Sequence, residues 1–198
     1  MKLRSAFRRT LKKLVAAVVI ITLLILGVDK FGGYVLKKLY PLKYGEYVER
    51  YCEEYNVDKY FGYAFIKCES NFQKDAESSA GAMGLMQLTS DTFGWISAKL
   101  TGETLSEEYI TEPELNIRFG IWYISYLYEK FGDKSLTVAA YNAGPANVTE
   151  WLANPEYSSD GKTISVYPFK ETERHVEKVL RAESIYKKLY ETKKGDAF

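Results

Sequence analysis

Histidine and cysteine are scarce in this sequence, which contains one histidine, His175, and two cysteines, Cys52 and Cys68. A structural zinc site built from cysteine and histidine needs four such ligands, so this chain cannot form one. A histidine-based catalytic triad would depend on His175 alone. We therefore expect carboxylates to supply any acid–base chemistry, and we expect no metal and no cofactor.

The sequence also lacks an excess of charge of either sign. Its 198 residues include 27 Lys and Arg against 26 Asp and Glu, a formal net charge of +1. Nothing in this balance indicates binding to nucleic acid. With 46% hydrophobic and 27% charged residues, the chain can bury a core and is not intrinsically disordered. Its length predicts one folded domain.

Charged residues are absent from a long segment near the N-terminus. Residues 1–13 contain six basic and no acidic residues, and residues 14–28 contain no charged residue. A helix over 14–28 rises about 22 Å, whereas the hydrocarbon layer of a bilayer is about 30 Å thick. A spanning helix therefore also needs Thr10, Leu11 and the flanking lysines. The alternative is a cleaved signal peptide, but no Ala-x-Ala-like site follows Leu26.

These features predict an uncleaved signal-anchor. Basic residues stay on the cytoplasmic side of a membrane, so we expect a single-pass protein of the cell membrane with its folded domain on the extracytoplasmic side. The predicted segments are a basic cytoplasmic tail at 1–13, a transmembrane signal-anchor at 14–28, a stalk at 29–44, a folded domain at 45–190 and a tail at 191–198.

The folded domain is predicted to be mainly α-helical, with little or no β structure. Two helices are expected at 45–56 and 58–70, with Asp58 as the N-cap of the second. The second helix has an apolar face with the i, i+3, i+4, i+7 spacing of a buried side. This face consists of Phe61, Ala64, Phe65 and Cys68.

Capping residues and helix breakers mark the later helices. Thr111 and Glu114 form a capping box with Pro113 in the first turn, and the helix that follows is predicted to end near Gly132. The remaining predicted elements are a helix at 135–143, a helix at about 172–190 and a weak strand at 163–166.

Glu69 is the first residue that could carry chemistry. It follows Phe65 and Ile66 at the end of an apolar helical face, so we expect its carboxyl group to be partly desolvated. Desolvation favours the protonated acid. A protonated carboxyl group can donate the proton that a glycosidic oxygen needs before its bond breaks. The alternative is an ordinary solvated glutamate at a helix end.

A glycine-containing segment follows at 81–88, with the sequence Gly-Ala-Met-Gly-Leu-Met-Gln-Leu. Its glycines allow close approach of the backbone, and Gln87 supplies one amide among apolar neighbours. The segment lacks the Lys-Ser/Thr ending of a P-loop and the preceding strand of a dinucleotide-binding site. Phosphate binding is therefore not indicated.

Two more motifs lie further along the chain. Tyr141 and Asn142 belong to Ala-Tyr-Asn-Ala-Gly, and Glu171 belongs to Pro-Phe-Lys-Glu-Thr. Together and in this order, these three motifs and Glu69-Ser70-Asn71-Phe72 before them resemble the lytic transglycosylase family that includes the soluble lytic murein transglycosylases. The resemblance covers about residues 45–190. It implies a lysozyme-like α-helical fold and an enzyme that acts on peptidoglycan.

The resemblance also implies roles for individual residues. Glu69 would be the single catalytic acid and base. The groove that binds the glycan strand would be lined by Ser70, Met86, Gln87, Tyr141, Asn142 and Glu171. Two positions depart from the family pattern, because Ser90 stands where the family often has proline and His175 where it usually has tyrosine. We assign no role to His175.

By this resemblance, Glu69 protonates the oxygen between N-acetylmuramic acid and N-acetylglucosamine. The muramyl C6 hydroxyl then attacks C1 and forms a 1,6-anhydro end, without metal or cofactor. Hydrolysis by water, as in goose-type lysozymes, and a noncatalytic wall-binding module of an envelope assembly are the alternatives. The expected partners are peptidoglycan glycan strands and the membrane, with no nucleic acid; a partner protein in the envelope machinery stays open.

Overall fold

The computed structural model describes residues 31–191. The predicted basic tail and signal-anchor, and residues 192–198, lie outside the described residues. The chain divides into a unit at Met1–Pro41 and a unit at Leu42–Phe198. In the first unit, residues 31–39 of the predicted stalk are helical. Over the described residues, no helix combines the length and the apolarity needed to cross a membrane.

The second unit is built from α-helices. Between residues 42 and 191 there is no strand, and the isolated bridges join Met83 to Glu77 and to Leu88. This finding confirms the predicted mainly α-helical class. The weak strand signal was misleading, because residues 163–166 are irregular. The elements are α1 (Gly45–Glu54), α2 (Lys59–Glu69), α3 (Ser90–Thr101), a 3-10 turn (Glu107–Tyr109), α4 (Pro113–Phe131), α5 (Lys134–Ala143), α6 (Pro145–Ala153) and α7 (Lys170–Tyr190).

Helix α2 begins where the sequence predicts. The Asp58 carboxylate accepts hydrogen bonds from the backbone N–H groups of Tyr60 at 2.8 Å and Phe61 at 3.4 Å. These bonds satisfy two of the donors that a helix start leaves unpaired. The predicted apolar face is confirmed as well, since all four of its side chains are buried. Local sequence therefore determines both the start and the orientation of α2.

The capping box predicted for α4 is wrong by one residue. The N-cap is Glu112, whose carboxylate accepts a hydrogen bond from the Leu115 N–H at 2.9 Å, and Pro113 occupies the first turn. Glu114 accepts hydrogen bonds from the Tyr51 hydroxyl at 2.7 Å and from Arg50 at 3.1 Å. Because Pro113 is the first residue of α4, the N-cap position falls on Glu112 rather than on Thr111, and Glu114 contacts α1 instead of completing a capping box.

Helix α6 was not expected from the sequence. No helix was predicted between residue 143 and about residue 172, and Gly144 ends α5 with a φ of 91°. Pro145, however, occupies the first turn of a new helix. Proline is well suited to that position because its fixed φ is helical and it has no N–H to leave unpaired.

Long helices surround the C-terminal end of α2. Helix α7 packs along α2 and α5, and α4 packs against α1 and α5. A core cluster of Phe93, Ile96, Ile110 and Phe119 includes Leu88, the last residue of the segment at 81–88, and Met83 of the same segment packs against it. This packing brings together the last residues of α2 and α5 and the first turns of α7, which carry most of the predicted site residues.

Candidate functional site

Glu69 is the last residue of α2, and Ser70 fixes that helix end in place. The Ser70 hydroxyl is buried and lies within hydrogen-bonding distance of the Leu85 carbonyl, at 2.7 Å, and the Ile66 carbonyl, at 3.3 Å. The following residues, Asn71 and Phe72, have φ angles of 53° and 64°. Because this left-handed backbone cannot continue a helix, Glu69 is held at the helix end. Ser70 thus contacts the protein backbone from beneath the site.

The segment at 81–88 is a tight turn that Gln87 holds closed. The Gln87 side-chain Nε2 donates hydrogen bonds to the carbonyls of Ala76 and Gly84, both at 3.0 Å. The backbone groups of Met83 and Leu88 also pair with each other, at 2.8 and 3.0 Å. Both Nε2 hydrogens are therefore used inside the protein, and Oε1 is the part of the amide left for a ligand.

Met86 lies in the core, and its side chain is fully buried. A Cβ placed on Gly120 of α4 would collide with the Met86 sulfur, so the missing side chain at Gly120 makes room for this methionine. The Met86 backbone is fixed on both sides. Its N–H donates to Asn116 Oδ1 at 2.7 Å, and its carbonyl accepts from the Tyr141 hydroxyl at 2.7 Å. Met86 therefore supports the site through its backbone.

Tyr141 contacts the turn at 81–88 as well as α2 and α4. Its ring centroid lies 4.9 Å from that of Phe65 and 5.3 Å from that of Tyr123. Burial raises the pKa of the Tyr141 phenol well above its ordinary value, and the negative charge of Glu69 raises it further. The phenol therefore stays uncharged and keeps its proton for the hydrogen bond to Met86.

Asn142 and Glu171 lie where α5 ends and α7 begins. The Asn142 side chain is exposed, and its Oδ1 accepts a hydrogen bond from the Thr172 hydroxyl at 2.7 Å. Glu171 is exposed in the first turn of α7. Thr172 itself is buried, so this hydrogen bond fixes the position of the first turn of α7 relative to Asn142.

His175 of α7 lies beside Glu69. His175 Nε2 lies 3.0 Å from Glu69 Oε1, and the two side chains are 13% and 14% exposed. One turn further along α7, Lys178 Nζ donates a hydrogen bond to the Cys68 carbonyl at 2.7 Å. Helix α7 therefore presents an imidazole and an ammonium group to the end of α2.

Residues 46–164 match the sequence pattern of the transglycosylase SLT domain family. The match spans more than half of the chain. The chain belongs to this family. The resemblance that the motifs indicate is thereby confirmed, and the matched range includes Glu69, the turn at 81–88 and Tyr141.

Known relatives of this SLT domain are larger proteins. The soluble lytic murein transglycosylase of Escherichia coli is 31% identical over 155 residues, which cover 77% of this chain and 24% of that protein. The membrane-bound lytic murein transglycosylase C of Edwardsiella ictaluri is 29% identical over 174 residues, covering 74% of this chain and 47% of that protein. The chain thus spans about a quarter of the length of the first relative and about half of the second.

Solved structures confirm the lysozyme-like fold of the SLT domain. The crystal structure of the 70 kDa soluble lytic transglycosylase of Escherichia coli aligns with a TM-score of 0.70 and 30% sequence identity. The alignment covers 77% of this chain and 25% of that one.

Two residues of the SLT domain site were not singled out as site residues by their sequence. Asn116 is completely buried in α4 and contacts three backbone groups, the Met86 N–H and the carbonyls of Met83 and Ile110. The sequence signal that could have identified Asn116 is a polar amide among the apolar residues of the long helix α4. The only sequence signal for His175 was that it stands where the family usually has tyrosine. Over residues 31–191, no three His, Cys, Asp or Glu side chains are grouped to hold a metal ion.

Proposed function

We propose that this protein is a peptidoglycan lytic transglycosylase that cleaves the β-1,4 bond between N-acetylmuramic acid and N-acetylglucosamine. The observation that carries the proposal is Glu69, a carboxyl group only 14% exposed at the end of α2 in a member of the SLT domain family. Ser70 and the left-handed backbone after it hold this carboxyl group at a fixed helix end. A carboxyl group held in one place can be aligned with a bound glycosidic oxygen and can act as its acid.

In this proposal, Glu69 is the single general acid and base. After it protonates the glycosidic oxygen and the bond breaks, the ionised carboxylate accepts the proton of the muramyl C6 hydroxyl. That oxygen attacks C1 of the same sugar and forms a 1,6-anhydromuramyl end. Because the hydroxyl is already attached to the reacting sugar, its high effective concentration favours it over water.

The residues of the proposed groove can bind the glycan strand in different ways. Gln87 can accept a hydrogen bond at Oε1 because its two Nε2 hydrogens are used elsewhere. Asn142 can donate from its amide nitrogen because its Oδ1 is held by Thr172. Tyr141 and Glu171 complete the proposed binding set. Ser70 and Met86 act from beneath by holding the helix end and the turn.

Product analysis tests this proposal against hydrolysis. We expect the full-length chain, purified in mild detergent, to release muropeptides from isolated sacculi with anhydro ends that weigh one water less than reducing ends. Mass spectrometry of the products measures this difference. Reducing ends would show that water is the nucleophile, and the absence of any released muropeptide would contradict glycan cleavage altogether.

We propose further that residues 14–28 anchor the protein in the cell membrane, with the catalytic domain on the extracytoplasmic side. The support is the uncharged segment after six basic residues, since basic flanks stay in the cytoplasm. Among the relatives, one is named membrane-bound and another soluble.

The anchor predicts how the protein fractionates. We expect the full-length chain to remain in the membrane pellet after a carbonate wash and to leave it in detergent. Ile21→Arg should move the protein to the supernatant, because an arginine at the centre of a spanning helix costs about 2.5 to 3.5 kcal/mol on insertion. The exposed substitution Lys74→Arg is the control and should stay in the pellet. A wild-type chain found in the carbonate supernatant would contradict the anchor.

A further inference from the structure

Four aromatic side chains form an aromatic platform where α3 packs against α4, namely Trp95, Trp122, Tyr123 and Tyr126. The Trp95 ring centroid lies 5.5 Å from that of Trp122 and 5.2 Å from that of Tyr126. The Trp122 and Tyr126 rings are stacked with an interplanar angle of 15°. Trp95 and Tyr126 are 38% and 37% exposed. Exposed apolar surface that is gathered into one patch marks a binding site, whereas single scattered residues do not.

A depression of about 280 Å³ borders the aromatic platform. Trp122 and Tyr126 line it from α4, and Tyr55 lines it from the end of α1. The lining also includes three exposed polar side chains, those of Glu54, Asn56 and Glu129, and no basic residue. Aromatic walls with a few polar groups are typical of sites that bind small molecules.

This combination of side chains fits an uncharged sugar. One face of a sugar ring carries C–H groups that can pack on an aromatic ring, and its hydroxyl groups can donate hydrogen bonds to carboxylates or pair with an amide. The two carboxylates of the depression repel anionic ligands. The Tyr123 ring centroid lies 5.3 Å from that of Tyr141, so the aromatic platform adjoins a residue of the proposed glycan groove.

We propose that the aromatic platform and the depression beside it bind uncharged N-acetylglucosamine units of a glycan strand, away from the bond that is cleaved. The choice of ligand rests on the proposed function. Asn56 lies just before α2, whereas Glu69 is the last residue of that helix, and the 11 residues of α2 span about 16 Å. The depression is therefore a second contact with the strand, which retains the strand while Glu69 acts elsewhere on it.

The tryptophan indole signals in an NMR titration can separate the two places. Trp95 and Trp122 belong to the aromatic platform, whereas the third tryptophan, Trp151, lies 5.2 Å from the Phe169 ring, two residues before Glu171 of the proposed groove. The probe is an uncharged β-1,4-linked tetramer of N-acetylglucosamine, added to the isotope-labelled full-length chain in mild detergent. We expect the Trp95 and Trp122 signals to shift with increasing tetramer and to saturate.

Two variants and a control locate the binding. Tyr126→Ala removes one ring, and Glu129→Ala removes a carboxylate while it leaves all four rings in place. We expect each variant to raise the dissociation constant measured at Trp95 and Trp122, and Tyr126→Ala to raise it at least about fivefold. Neither should change the response of Trp151. Tyr109→Ala removes an exposed tyrosine outside the aromatic platform and should keep the wild-type constant.

The outcomes distinguish this proposal from the proposed function. Trp95 and Trp122 signals that do not move, or unchanged dissociation constants in both Tyr126→Ala and Glu129→Ala, overturn the aromatic platform as a sugar site, even in a protein that cleaves sacculi. Binding at the aromatic platform by a protein that cleaves no peptidoglycan rejects the proposed function alone.

Discussion

Replacing Glu69 with glutamine is expected to reduce peptidoglycan cleavage by at least about a hundredfold, the usual lower range for removing a general acid. The glutamine side chain has nearly the same size and shape, so it can occupy the same place at the end of α2. It cannot transfer a proton to the glycosidic oxygen, and it cannot accept one from the C6 hydroxyl. The release of soluble muropeptides from sacculi measures the loss.

A matched control separates catalysis from folding. Glu54 is also the last residue of its helix, α1, but it is exposed and lies outside the site. Glu54→Gln should therefore retain wild-type cleavage. Both variants should unfold at nearly the wild-type temperature, as followed by circular dichroism. A Glu69→Gln protein that cleaves at the wild-type rate would contradict the assignment of Glu69 as the acid.

Replacing Asn116 with alanine is expected to lower the free energy of unfolding by about 2 to 6 kcal/mol, because each buried polar group left without a partner costs about 1 to 3 kcal/mol. Two groups lose their partner in this variant, namely the Met86 N–H and the Ile110 carbonyl, whereas the Met83 carbonyl keeps the Leu88 N–H at 3.0 Å. Met83 and Met86 belong to the turn at 81–88, so cleavage should fall as well. Urea unfolding followed by circular dichroism measures the stability change.

Asn147→Ala is the control for the stability change expected in Asn116→Ala. It is a partly buried asparagine whose side chain makes one hydrogen bond, to the Ala143 carbonyl one turn earlier, at 2.7 Å. Asn147→Ala should cost only about 1 kcal/mol. Equal destabilisation by the two substitutions would show that the three bonds of Asn116 contribute no more than a single bond on α6.

The features that the sequence predicts correctly depend on contacts between near neighbours. Asp58 caps α2 through the N–H groups two and three residues later, and the buried face of α2 follows from helical spacing alone. The four motifs, taken in their order along the chain, predict the family that the match over residues 46–164 confirms. The helix end at Glu69 was accordingly placed within one residue.

The features that the sequence does not reveal depend on contacts between distant segments. Nothing near His175 in the sequence shows that α7 lies against α2 and places its imidazole next to Glu69. Met86 was expected to line the groove, but the space above Gly120 accommodates its side chain in the core. The Gln87 backbone has a φ of 49°, and the Gln87 Nε2 donates a hydrogen bond to the Gly84 carbonyl. This turn geometry depends on contacts within the folded segment and binds the Gln87 donor groups inside the protein.

Helix α7 has a practical consequence for where this protein can be cut or fused. The family pattern stops at residue 164, whereas Tyr186 stacks on the Tyr63 ring at 5.6 Å and both rings are buried. A truncation at residue 164 would uncover the Tyr63 ring and remove the imidazole beside Glu69. A fragment that is to keep the Glu69 environment should therefore include α7 to its end at Tyr190, and a fusion partner belongs after that residue.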